Sequence, residues 1–220
     1  MDANVLFYDK SIAVCVKPSG VVSEGDGLPR LLRERLGGEI FPVHRLDKDV
    51  GGVMVYARTA SAAAKLSAAI AAKEMEKEYL AVVEGRPEPP DGVFFDLLFH
   101  DRGRNKTYVT DRKRAGVKEA ELEYTLLQEK DGLSLVRVKL HTGRSHQIRV
   151  QFASRKMPIV GDRKYGSRNR DIGIALFAFR LGFDHPVTGE KMCFSALPPE
   201  DLPWTEFAIN LEGSENGKGL

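Results

Sequence analysis

The 220-residue chain contains only two cysteines, Cys15 and Cys193. That excludes a disulfide scaffold and a four-cysteine zinc site, and fits a reducing compartment. No run approaches the ~20 apolar residues that a membrane helix needs. The N-terminus, MDANVLFYDK, lacks the basic and apolar stretches of a secretory signal, so a cytoplasmic location is expected. Internal repeats and Pro/Gly/Ser-rich linkers are missing too; the nearest candidate, Arg86-Pro87-Glu88-Pro89-Pro90-Asp91-Gly92, is short enough to be a loop. Net charge is almost absent. Lys and Arg total 33 against 31 Asp and Glu, a formal +2, which excludes a basic tail. A hydrophobic content of 42% excludes a disordered chain. What remains is one domain over 1–210, with 211–220 as a polar, glycine-rich tail expected to be flexible.

The near-zero balance conceals an uneven distribution. From Arg137 to Arg170 there are ten Lys/Arg and one acid, Asp162; from Asp101 to Lys118 there are seven against two. Between them, Glu119 to Val136 carries five acids and the single Lys130. The segment 101–170 therefore sums to +10 and the rest of the chain to −8. Such asymmetry is expected where one face meets a phosphate backbone, although an unevenly charged solvated surface would look the same.

Three helices are expected. Leu28–Leu36 lies between glycine turns, Ala60–Met75 follows an N-cap at Thr59, and Ser145–Arg155 ends before Pro158. Strand-like runs are more numerous: Val5–Tyr8, Ile12–Val16, Gly52–Ala57, Glu78–Glu84, Val93–Phe99, Lys118–Gln128, Leu133–Leu140, Ala175–Phe183 and Lys191–Phe194. Several alternate apolar with polar residues, and none follows a regular strand–helix–strand order. The class is α+β, with a mixed, mostly antiparallel sheet flanked by a few helices.

Three stretches are dense in chemically capable side chains. His44-Arg45-Leu46-Asp47-Lys48-Asp49 runs as a turn into a strand. Asp47 and Asp49 occupy the first and third positions of a calcium loop, but Gly51 and Arg58 stand where its fifth and twelfth ligands belong. The second stretch, Lys77–Gly85, is a strand that puts Tyr79, Ala81 and Val83 on one face. In the third, Gly143-Arg144-Ser145-His146-Gln147 resembles a nucleophile elbow except that Gln147 replaces the second glycine. A zinc site on His141 and His146 would lack further ligands. Each stretch also has a purely structural reading: Asp47 shaping a turn, Tyr79 packed in a core, Arg144 in a salt bridge, His146 capping a helix.

In order and spacing, His44-Arg45-Leu46-Asp47, the Tyr79 strand and Gly143-Arg144-Ser145-His146-Gln147-Ile148-Arg149-Val150 closely resemble the three core motifs of RluA-type pseudouridine synthases. Lys17-Pro18-Ser19-Gly20, the segment Pro158–Gly166 and His185-Pro186-Val187-Thr188-Gly189-Glu190 resemble further family signatures. The resemblance covers roughly residues 4 to 207 and implies a pseudouridine synthase-like fold, catalytic domain only, without the N-terminal S4-type module of many relatives. It implies isomerisation of specific uridines in rRNA or tRNA, by a monomer without metal or cofactor. Asp47 would be the essential carboxylate, by a chemical route that stays open. Arg144 would be its cationic partner and Tyr79 would stack near the base. Ile148 would line the uracil pocket and Arg45 would fill the vacated stack. His146, Gln147 and Arg149 complete the expected RNA-binding set. The chain departs from the family at Val50-Gly51 where Thr-Ser is usual, at Ser145 for Thr, and at Phe177 where histidine is common. On the first departure, a protein that binds RNA without isomerising it stays open.

Overall fold

A computed structural model describes residues 4–169 and 171–209, so the expected tail at 211–220 lies outside the described residues. In chain order the elements are β1 (Asn4–Tyr8), β2 (Ile12–Lys17), α1 (Leu28–Leu36), β3 (Phe41–Pro42), β4 (Gly51–Ala57), α2 (Ala60–Ala71), β5 (Glu76–Glu84), β6 (Asp91–Asp101), β7 (Lys106–Thr110), β8 (Val117–Lys130), β9 (Leu133–Leu140), α3 (Gln147–Ser154), β10 (Leu176–Asp184) and β11 (Lys191–Ser195). They form two compact units. One comprises residues up to Lys77 together with Phe177–Pro198; the other comprises Glu78–Leu176 together with Pro199–Ile209.

In the first unit β2 pairs antiparallel with β1 and β4, and β3 adds antiparallel to β4. β10 pairs parallel with β4 and antiparallel with β11. All seven residues of β4 are buried, which explains its unbroken apolar run: both faces of this strand are covered. Ile12, Val14, Val53, Val55 and Ala57 pack with Ala62, Leu66, Leu181 and Phe183 into one core. α2 begins where Thr59 Oγ1 accepts from the Ala62 amide at 3.1 Å. It stops at Ala71, before the expected Met75, because Lys73 turns left-handed at φ 62°. The His-Pro-Val-Thr-Gly signature acquires a physical role here. The His185 Nδ1 accepts from the Thr188 amide at 3.0 Å, leaving Nε2–H to donate to Asp9 Oδ2 at 3.1 Å. That ties the β10–β11 turn to the β1–β2 turn, whose Ser11 and Ile12 amides Asp9 also holds.

The second unit is an antiparallel series in the order β5-β9-β8-β6-β7. Phe94, Tyr124 and Phe152 cluster with ring centroids 4.5–5.8 Å apart, fixing α3 over the strands. A bulge between Leu126 and Gln128 puts Leu127 out of register and 40% exposed. The acidic run of β8 is one strand face. Glu119, Glu121 and Glu123 stand opposite Leu97, Phe95 and Val93 on β6, and Glu123 also faces Lys139 on β9. The glutamates of β8 thus lie between apolar residues of β6 and, at Glu123, a lysine of β9.

The α+β class with a mostly antiparallel mixed sheet is what the structure has, and all nine expected strands are present. β3 and β7 are additional. α3 starts two residues later than the sequence pattern suggests, because His146 adopts a left-handed conformation at φ 54°.

Candidate active site

The loop between β3 and β4 carries His44 to Asp49 in the first unit. Hydrogen bonds from neighbouring side chains and amides hold its backbone. The side chain of Ser23 donates to the Leu46 carbonyl at 2.9 Å and accepts from the Leu46 amide at 3.1 Å. The Asp47 carbonyl accepts from the Val50 amide at 3.0 Å, closing a turn beneath the half-buried carboxylate. Ser19 Oγ donates to the Asp49 carbonyl at 2.8 Å, and the Gly20 amide donates to the Lys48 carbonyl at 2.9 Å.

Lys17, at the end of β2, is fully buried. Its Nζ donates to the carbonyls of Pro18, Val21 and Lys48 at 3.0, 2.6 and 2.9 Å. Burial pulls the ammonium down to about 8, against the opposing attraction of Asp49 and Asp47. The Lys-Pro-Ser-Gly turn therefore acts as a strut: one cation pins the 18–21 turn to the loop bearing Asp47.

His44 is neutral by geometry. The Val55 amide donates to its Nε2 at 3.1 Å, which requires a lone pair there. Burial, with Lys77 nearby, pushes this imidazole down to about 3. Arg45 is the opposite case, with a side chain 70% exposed and Glu24 at 3.7 Å.

Gly51 and Gly52 explain the departure that follows the first motif. A Cβ on Gly52 would lie 2.3 Å from the Ala178 carbonyl oxygen, and its φ of +128° suits glycine alone. A Cβ on Gly51 would meet the Phe177 ring at 3.3 Å and the Lys17 carbonyl at 3.2 Å. Phe177 thus fills space next to a residue with no side chain, and the Asp47 turn closes without hydroxyls at 50 and 51.

The remaining predicted residues lie in the second unit. Tyr79 is buried on β5, paired in register with Val138. Arg144, His146, Gln147, Ile148 and Arg149 occupy the turn after β9 and the first turn of α3. Gln147 organises that turn. Its Oε1 accepts from Thr142 Oγ1 at 2.8 Å and from the Arg144 amide at 3.0 Å, while Nε2 donates to the Glu121 carbonyl at 3.1 Å. Arg144 Nε donates to the Glu119 carbonyl at 2.9 Å, so the residue is held once through its backbone amide and once through its guanidinium.

Arg149, expected to meet RNA, is buried. Its Nε and Nη2 donate to Asp162 at 2.6 and 3.0 Å, a forked pair with both side chains almost fully enclosed. Ile148 is likewise buried, and His146 pairs through Nδ1 with the Tyr165 hydroxyl at 2.9 Å instead of capping α3 with its ring. The structure thus gathers Arg45 and Asp47 into one loop, and Arg144 to Arg149 into one turn. Sequence reasoning missed the supports Lys17, Ser23, Asp162 and Tyr165. A lysine closing the apolar run Ile12–Val16 was the one visible signal among them. Among the described residues no three His, Cys, Asp or Glu side chains are grouped to hold a metal, and no helix is long and apolar enough to cross a membrane.

Comparison with known proteins identifies the family of the fold. Residues 11–154 match the family model described as RNA pseudouridylate synthase. An uncharacterized RNA pseudouridine synthase of Aquifex aeolicus (strain VF5) is 36% identical, over 90% of this chain and 70% of that protein. The ribosomal large subunit pseudouridine synthase D of Xanthomonas campestris pv. campestris is 37% identical, over 90% and 67%. Among solved structures, human RNA Pseudouridylate Synthase Domain Containing 4 superposes with a TM-score of 0.76 at 26% identity, covering 89% of this chain and 88% of that one. The chain belongs to the RNA pseudouridylate synthase family. It is accordingly an isomerase of the pseudouridine synthase class.

Proposed function

We propose that this enzyme converts specific uridines of structured RNA, ribosomal RNA first and transfer RNA second, to pseudouridine, with Asp47 as the essential carboxylate. The carrying observation is the rigid presentation of Asp47. The backbone of its loop is fixed at Ser23, Ser19, Gly20 and Lys17, and the turn closes without side-chain hydroxyls at residues 50 and 51. Arg144 is assigned as the cationic residue of the reaction and Tyr79 as the residue that stacks near the base. Ile148 bounds the uracil. Arg45, exposed and loosely paired, enters the space left when the nucleotide leaves its stack, which costs roughly a few kcal/mol. Relatives named for the large ribosomal subunit favour ribosomal RNA as the first substrate to test. We place the enzyme in the cytoplasm, acting as a monomer without metal or cofactor.

Gln147 and Arg149 enter this reading as supports of the turn, since Gln147 ties it to Glu121 and Arg149 ties the following helix to Asp162. The deciding assay is tritium release from RNA labelled at uracil carbon 5. Wild-type protein is expected to release label from ribosomal RNA transcripts and Asp47→Ala to release none. Release that persists in Asp47→Ala would remove the carboxylate from the chemistry. Binding without release by the wild type, on both RNA classes, would leave an RNA-binding protein.

A further inference from the structure

Tyr165 lies outside the three motifs, yet it joins β7 to the start of α3. Its hydroxyl oxygen accepts from the Thr107 amide at 2.8 Å and lies 2.9 Å from His146 Nδ1. A phenol carries one proton. The oxygen can take two donors, so two arrangements fit these distances; in the one that uses the phenol's own proton, Tyr165 donates to His146 Nδ1 and the imidazole carries its proton on Nε2. A second directed chain runs alongside. The side chain of Thr107 donates to the Ser145 carbonyl at 2.8 Å, so it accepts from His100 Nδ1 at 3.0 Å.

The two chains meet at Thr107, which is 1% exposed, and end on adjacent residues, Ser145 and His146. The two imidazoles stand edge to face with centroids 6.0 Å apart. Arg149 and Lys106 both lie over the Tyr165 ring, at 5.2 and 5.3 Å, and Arg149 is itself locked by Asp162. The ring cannot easily leave this position. Burial also raises the phenol above its ordinary range, which keeps its proton in place.

We propose that Tyr165 is a positioning residue for the catalytic turn: held by the Thr107 amide, its hydroxyl fixes the tautomer and orientation of His146 at the left-handed start of α3. This rests on the role assigned above to Arg144. Arg144 and His146 both lie in the six-residue connection 141–146 between β9 and α3, and a left-handed non-glycine residue persists only where its surroundings hold it. The bond from Tyr165 is part of that hold. Tyr165 acts through His146 and touches no reacting atom.

Tyr165→Phe removes one oxygen and retains the packed ring. In the full chain, kcat for tritium release should fall about tenfold while KM stays within about twofold. In a His146→Gln background the same substitution should change kcat by less than about twofold, because the group it acts through is gone. Nitrogen-15 spectra of labelled histidine should place the His146 proton on Nε2 in the wild type and on both nitrogens in Tyr165→Phe. An unchanged kcat, an equal loss in both backgrounds, or a wild-type proton on Nδ1 would each overturn the proposal. Inactivity of the wild type would instead refute the assigned reaction, and the spectra would still decide the tautomer.

Discussion

Replacing His44 by glutamine should separate the acid sensitivity of the first-motif loop from that of the rest of the protein. His44 accepts the Val55 amide through Nε2 at 3.1 Å, and protonation there destroys the bond and places a cation among buried groups. Its pKa moves from 6.5 to about 3 on folding. Below 6.5 the unfolded chain binds a proton that the folded chain refuses, so this group's contribution to stability falls as pH falls. Between pH 8 and pH 5 the linkage amounts to about 2 kcal/mol, at about 1.4 kcal/mol for each tenfold difference in proton affinity. Glutamine offers an amide oxygen at a similar reach and does not titrate. Urea unfolding at pH 8 and pH 5 should therefore show the wild type losing about 2 kcal/mol more than His44→Gln. Equal losses in the two proteins would refute the reasoning, as would a histidine resonance assigned to His44 that titrates near its ordinary value.

Two further substitutions test the supports of the site. Gln147→Leu takes from the Arg144 amide its partner and from the Thr142 hydroxyl and Glu121 carbonyl one bond each; it should cost about 1–3 kcal/mol in urea unfolding and lower the tritium-release rate more than it lowers RNA affinity. Gly52→Ala should yield little folded protein, or lose more than about 3 kcal/mol by the same measurement, since the new methyl would lie 2.4 Å from the Ala178 nitrogen at a φ that alanine avoids. A stable, soluble Gly52→Ala protein would contradict the parallel pairing of β4 and β10.

Much of the fold was legible where local chemistry and tertiary demand agree. Leu133–Leu140 alternates strictly and is a strand over those residues, while glycines at 27 and 37 bracket α1 as its start and stop signals suggest. β7 escaped notice because Lys-Thr-Tyr-Val-Thr lies inside a run of basic residues, where charge dominates the pattern. The start of α3 was misjudged because Ser145 has the composition of a cap, whereas the observed boundary depends on one left-handed residue held by long-range bonds. Arg149 was the subtler case. Its motif neighbours and the basic segment suggested a surface cation, and nothing periodic marks Asp162 as its partner. Lys17 is visible as a lysine closing an apolar run, but its role is not: three carbonyl partners, two in its own turn and one beyond residue 40, leave no imprint on side-chain pattern. Specific polar pairing across long separations is invisible to rules built on local spacing.

The parallel pairing of Gly51–Gly52 with Phe177–Ala178 has a consequence for synthesis. The partner of β4 follows it by about 125 residues, so at roughly 5–20 residues per second it leaves the ribosome some 6–25 seconds later. During that interval β4, apolar along its whole length, has an unmatched edge beside the Asp47 turn, a surface that invites chaperones or premature strand pairing. The carboxylate loop can be drafted early from Lys17, Ser19 and Ser23, but it acquires its final wall only when β10 arrives. Any early stop before residue 177 would therefore leave the sequence of the first motif intact and its framework unfinished.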